Sequence, residues 1–193
     1  MSAPAVNTPF ASQAAFRAVM EAFARPGEIR TLDEVAAPAP LAPATAALVQ
    51  ALADYETPVW LDSMFAAVPA VAEWIRFQTG AAVVKDGRDA AFALVADPLA
   101  LPDFDSFAVG TEDYPDRSTT VIVQVCLFKG PAFTLKGPGI KGRCSLAATP
   151  LPVDFAERLR ANRELFPRGI DVVLVAGAQA AALPRSVRVV MEA

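Results

Sequence analysis

The residues best able to do chemistry are charges set between prolines and glycines in the C-terminal half. Lys136, Lys141 and Arg143 surround the run Gly137-Pro138-Gly139-Ile140-Lys141-Gly142. Arg168 and Asp171 belong to Phe166-Pro167-Arg168-Gly169-Ile170-Asp171, and Arg185 to Leu183-Pro184-Arg185-Ser186. The second run ends a helix, turns on Pro and Gly, and delivers an aspartate onto the apolar strand Val172–Val175. A carboxylate there needs a partner, so the run is either a structural lock or the edge of a site. Arg185, held by proline between apolar residues, is a candidate partner, because guanidinium groups in such places commonly pair with carboxylates.

The glycine run formally matches G-x-G-x-x-G, whose glycines let backbone approach a pyrophosphate while the next helix points its N-terminus at it. Here Pro138 removes an N–H donor, and Pro150 and Pro152 interrupt any helix soon after. The outer frame of G-x-x-x-x-G-K-[ST] is also present, but Arg143 and Cys144 stand where Lys and Ser/Thr belong. A plain connecting loop is the favoured reading. A weaker role remains for Lys136, Lys141 and Arg143 in contacting a phosphate-bearing surface or a partner chain. Asp54 and Glu56 invite a paired-carboxylate reading, and Glu112-Asp113-Tyr114-Pro115-Asp116 a metal loop. Solvated acids at a helix end and in a loop are the plainer alternatives.

Composition narrows the chemistry further. The chain of 193 residues contains no histidine. Ser-His-Asp and Cys-His catalysis and histidine-bearing zinc sites are therefore excluded, and two cysteines cannot build an all-thiolate zinc site in one chain. The four lysines, Lys85, Lys129, Lys136 and Lys141, are few for Schiff-base chemistry. No metal or cofactor is expected. A net charge of −4 argues against nucleic-acid binding. The hydrophobic fraction of 54% is high, yet no apolar run reaches the roughly 18–20 residues of a membrane span. With no export signal at Met1-Ser2-Ala3-Pro4, the expectation is a cytoplasmic protein whose Cys126 and Cys144 are reduced thiols.

The elements that must position these charges follow from periodicity. Residues 1–11 read as a flexible arm. Ser12 is a candidate N-cap for a helix with Phe16, Val19, Met20 and Phe23 on one face, stopped by Pro26-Gly27. Further helices are expected from about Pro43 to Ala53, Val68 to Gly80 and Asp154 to Leu165. Glu28–Leu32 and Thr57–Leu61 read as short strands. Ala81–Val84 and Ala91–Val95 read as a hairpin around Lys85-Asp86-Gly87-Arg88. Thr119–Phe128 and Ile170–Val175 read as central strands buried on both faces. Lys129-Gly130-Pro131 reads as a turn into Phe133–Leu135, and Val187–Val189 as an edge strand. Together these make one α/β domain over residues 12–193, a mixed β-sheet with flanking helices.

Taken in order, several runs resemble the PhnH subunit family of the bacterial carbon–phosphorus lyase system. They are Phe16-Arg17 with Met20 and Pro26-Gly27, Leu52-Ala53-Asp54 with Thr57-Pro58-Val59-Trp60-Leu61, Gly137-Pro138-Gly139-Ile140, Phe166–Asp171 and Leu183–Ser186. The resemblance implies an accessory, non-catalytic subunit required for phosphonate catabolism. Such a subunit acts with PhnG, PhnI and PhnL where methylphosphonate displaces adenine from ATP to give ribose 1-methylphosphonate 5-triphosphate. It also implies a core assembly with PhnG, PhnI, PhnJ and PhnK, and a homodimer when isolated. The implied fold is similar to the large domain of pyridoxal-phosphate-dependent transferases without the cofactor site. No catalytic residue is carried over by it. Lys136, Lys141, Arg143, Arg168, Asp171 and Arg185 stand as candidate interface or phosphate contacts. The alternatives are an independent nucleotide- or phosphate-binding enzyme using the Gly137–Gly142 loop, and a degenerate pyridoxal-phosphate enzyme.

Overall fold

The computed structural model describes residues 9–190 of the chain. Its centre is a strand pair that the apolar runs dictate. β5 (Thr120–Gln124) and β8 (Asp171–Ala176) lie side by side and parallel, Val121 opposite Val172 and Val123 opposite Leu174. Both faces of this pair are buried, because successive side chains alternate between two cores. Ile122 and Val173 face one, with Val19, Leu48 and Ile75, whereas Val121, Val123, Val172 and Leu174 face the other, with Phe107, Phe155 and Leu159.

The full sheet adds β1 (Arg30–Thr31), β2 (Val59–Leu61), β3 (Val83–Val84), β4 (Phe92–Val95) and β9 (Gln179–Leu183), in the order β1-β9-β8-β5-β4-β2-β3. Only β9 runs against the others. Helices α1 (Pro9–Ala24), α2 (Pro43–Leu52), the single-turn α3 (Ser63–Ala66) and α4 (Pro69–Thr79) place their buried side chains in the first core. The second core is closed by α5 (Phe155–Glu164) and a three-stranded antiparallel sheet. That small sheet is made of β6 (Leu127–Lys136), β7 (Cys144–Thr149) and β10 (Arg188–Val190), ordered β10-β6-β7. The fold is thus a mixed α/β domain with helices on the sheet, as expected. No described helix is long and apolar enough to cross a membrane.

Several expectations are corrected. Most of the arm over residues 1–11 lies outside the described residues, but α1 begins at Pro9, ahead of Ser12. Its inner face is Ala15, Val19 and Ala22; Phe16 and Met20, at 48% and 51% exposure, face outward. Small alanines let this helix sit close to α2. Ala81–Val84 and Ala91–Val95 do not form a hairpin, since β3 and β4 are both parallel to β2, on opposite sides of it. A type I′ turn needs positive φ at both central residues. Asp86 instead caps a 3₁₀ turn by accepting from Arg88 N at 2.9 Å, so the chain crosses over rather than folding back. Thr119–Phe128 is not one strand: it leaves the large sheet after Gln124 and re-enters pairing in the small one. Lys129-Gly130-Pro131 is no turn but an irregular stretch within β6, where the register with β7 shifts between Leu127 and Ala132.

Candidate functional site

Asp171 and Arg185 meet as anticipated. Asp171 opens β8, and Arg185 follows β9, which runs antiparallel and returns the chain to the same end of the sheet. The pair is bidentate: Arg185 Nε donates to Asp171 Oδ1 at 3.2 Å and Nη2 to Oδ2 at 2.5 Å, while the Arg185 backbone N–H donates to Oδ1 at 2.8 Å. Nη1 donates to the Pro115 carbonyl at 2.6 Å and Nη2 also to Ser118 Oγ. Side-chain exposures of 14% and 18% leave little room for a ligand. The acidic loop is tied into the same network through Pro115, and its Tyr114 ring lies under Arg117 at 4.2 Å.

The turn that delivers Asp171 is held by Asn162 of α5. Its Nδ2 donates to the Ile170 carbonyl at 2.9 Å, and its Oδ1 accepts from Ile170 N at 2.8 Å. Gly169, at φ +118°, packs where a Cβ would stand 2.7 Å from Asn162 Oδ1, so only glycine fits. All of this lies at the N-terminal ends of the parallel strands. Ligands of open α/β sheets bind at the other end.

That other end is closed by the chain itself. Gln124, the last residue of β5, accepts at Oε1 from Ala42 N at 2.6 Å and from Thr45 Oγ1 at 2.9 Å, and donates from Nε2 to the Pro40 carbonyl at 3.0 Å. Ala44 N donates to the Gly177 carbonyl at 3.0 Å. The proline-rich strap before α2 and the first amides of that helix are thereby consumed over β5 and β8. Between β2 and β4, where the strand order reverses, stands Asp62, 4% exposed. It accepts from Phe65 N at 2.9 Å and from Ala96 N and Asp97 N at 2.8 and 3.0 Å. Backbone amides that would suit an anion are satisfied by the protein's own carboxylate.

The Gly137–Gly142 run joins β6 to β7 as an antiparallel connection, so no helix N-terminus follows it. Gly139, at φ +80°, lies against the end of α1, where an added Cβ would stand 2.0 Å from the Ala24 carbonyl oxygen. The loop therefore faces the carbonyl end of a helix dipole, the end that disfavours phosphate. Asp54 and Glu56 are exposed, and Asp54 caps its own turn through Glu56 N at 2.9 Å and Thr57 Oγ1 at 3.1 Å.

Comparison with known proteins fits this arrangement. The family model described as "Bacterial phosphonate metabolism protein (PhnH)" matches residues 5–190. The chain belongs to the PhnH family. It is 44% identical over 185 residues to "Alpha-D-ribose 1-methylphosphonate 5-triphosphate synthase subunit PhnH" of Rhizobium meliloti (strain 1021), covering 95% of this chain and 92% of that one. Over 82 residues, 42% of each chain, it is 30% identical to "Putative C-P lyase subunit protein HtxG" of Stutzerimonas stutzeri.

Of the candidate residues in this PhnH-family chain, Asp171 and Arg185 come together with each other and with no other candidate. Arg168 is half-buried beside Gly169, without an ion pair among the described residues. Lys136 ends β6, Arg143 immediately precedes β7 and Lys141 lies on the loop between them, and none of the three bonds to the Asp171–Arg185 pair. Asp62, Gln124 and Asn162 were not singled out from sequence. Their partners are backbone groups, joined at Gln124 by the Thr45 hydroxyl, and for Asp62 and Gln124 they are as much as 35 and 84 positions away, so no local motif marks them. A groove of about 660 Å³ lies between α5 and residues 103–109, floored by Phe104 and Phe107. Its arginines are already engaged: Arg158 by Asp103, Asp154 and two carbonyls, Arg88 by the Asp105 carbonyl.

Proposed function

We propose that this chain is an accessory subunit of a carbon–phosphorus lyase assembly, needed to form ribose 1-methylphosphonate 5-triphosphate from ATP and methylphosphonate, and that it contributes surface rather than reacting groups. The observation that carries this reading is the end-to-end match, 95% of this chain against 92% of a subunit bearing that name. The geometry supports it. The polar groups at both ends of the large sheet bond to each other and to backbone, and the glycine-rich loop has no phosphate-directed helix.

On this reading the partners are PhnG, PhnI, PhnJ and PhnK, with PhnL in the same step, the free chain is a homodimer, and the setting is cytoplasmic. The likeness to the large domain of pyridoxal-phosphate-dependent transferases belongs to the same proposal. A parallel sheet with one antiparallel strand beside β8 is compatible with it. The test is reconstitution. The purified chain alone is expected to turn over neither ATP nor methylphosphonate and to gain no thermal stability from millimolar ATP; addition of the partner subunits restores product. Turnover by the chain alone would remove the proposal, and an ATP-dependent rise in Tm would reinstate the nucleotide-binding alternative.

A further inference from the structure

The cations around the glycine-rich run fall into line once the register of the small sheet is followed. Arg188 of β10 lies directly opposite Lys136 of β6. On the other side of β6, Leu135 pairs with Cys144 of β7, which places Arg143 next to Lys136 one step beyond that pair. Leu135 is buried in the second core, and Cys144 and Val189, partly buried, pack against it. Strand side chains alternate, so the adjacent row Arg143–Lys136–Arg188 points to the opposite, outer face. Arg143 and Arg188 are exposed, Lys136 is half-buried, and Lys141 is exposed on the connecting loop. None of the four makes an ion pair among the described residues. Glu28, whose charge is felt at Cys144, is engaged by Arg30 at 2.5 Å.

Like charges directly opposite across antiparallel strands destabilise a sheet. This chain carries a net charge of −4, so the row is not part of a general basic excess. Among the described residues no carboxylate pairs with these three aligned cations, so nothing described there offsets their mutual repulsion. The row lies along the outer side of a three-stranded antiparallel sheet, with Arg143 and Arg188 exposed, whereas small ligands are taken into concave sites. Single-sign surfaces steer and orient protein partners of the opposite charge.

We propose that the outer face of the three-stranded sheet, built on Lys136, Arg143 and Arg188 with Lys141 beside them, docks an acidic surface of a partner subunit. This rests on the reading of the chain as a subunit. The test measures association of the full chain with the co-expressed partner subunits, comparing wild type with the triple variant Lys136→Gln, Arg143→Gln, Arg188→Gln. The wild-type on-rate is expected to fall about tenfold between roughly 50 and 500 mM salt; the variant starts about tenfold slower and is nearly insensitive to salt. Should the triple variant not fold, Lys141→Glu, on the loop and outside the strand register, carries the same expectation at smaller size. Equal rates and equal salt dependence overturn the docking face while leaving the subunit reading intact. Failure of the wild type to assemble at all overturns the subunit reading, and this proposal with it. Inorganic triphosphate is the control ligand: if it raises the Tm of wild type and not of the variant, the face holds a small polyanion and the protein-docking assignment is wrong.

Discussion

Arg185 and Arg188 stand three residues apart, yet one commits its guanidinium to the interior and the other points it at solvent. Arg185 bonds Asp171 at both carboxylate oxygens, the Pro115 carbonyl and Ser118. Arg188 has Lys136 opposite it and no carboxylate among the described residues. The difference is topological. Arg185 leaves β9 at the end of the sheet where β8 begins, so a carboxylate awaits it; Arg188 lies on a strand where its cross-strand neighbour is Lys136. Charges that the fold supplies with partners make structure, and charges left in a row are available to something else.

The largest effect expected from breaking this comparison is at Asp171. Replacing it by Asn leaves a nearly buried guanidinium without its counter-charge, which costs about 3 kcal/mol. For a domain of this size that lowers Tm by roughly 6–12 °C. A thermal melt measures it, and an unchanged Tm would place Arg185 in the same class as Arg188.

Next comes Gly139→Ala. The added methyl both occupies a position at positive φ and meets the Ala24 carbonyl, so the loop must lift from α1 at a cost of about 1–3 kcal/mol. The midpoint of urea unfolding reads this directly. A neutral result would free the glycine-rich loop from α1 and reopen its role as a ligand-binding loop. In the opposite direction, Lys136→Gln relieves repulsion from Arg188 and Arg143 and is expected to stabilise the isolated chain by about 0.2–0.5 kcal/mol. Loss of stability would mean that Lys136 has an internal partner and that the row is not open.

What was legible in the sequence follows the same division between local and long-range physics. The central strands were readable because two buried faces demand unbroken apolar runs, as in Val121–Val123 and Val172–Val175. The Asp171–Arg185 pair was readable because proline and glycine fix where each charge must emerge. The β3–β4 segment was misread because Asp-Gly serves a hairpin turn and a capped 3₁₀ turn equally well, and only the position of β2 decides. Strands β7 and β9 carry small residues, Ala147 and Ala148 in one and Ala180–Ala182 in the other, so their strand character comes from packing rather than propensity. Gln124 and Asp62 look like ordinary polar residues at strand ends. Their importance exists only after distant backbone has been brought to them.

The finest test of the comparison lies at two adjacent residues of the small sheet. Arg143 is exposed, whereas Cys144 pairs with Leu135 and packs, partly buried, against the second core. Burial first, and the negative charge of Glu28 second, hold the Cys144 thiol above its ordinary value of 9.0. The folded chain therefore keeps this proton more tightly than the unfolded chain does. The resulting contribution to stability is fully present below the unfolded thiol pKa and is lost as pH rises through the raised folded value. Reactivity follows, since only the thiolate attacks an alkylating reagent. At pH 8 the exposed Cys126 is expected to be carbamidomethylated first and the partly buried Cys144 to lag behind it, with the difference vanishing in urea; peptide mass spectrometry resolves the two sites. If Cys144 reacts in the folded protein as fast as Cys126, its side chain is on the outer face. The alternation that turns Arg143, Lys136 and Arg188 toward solvent is then inverted, and the docking face with it.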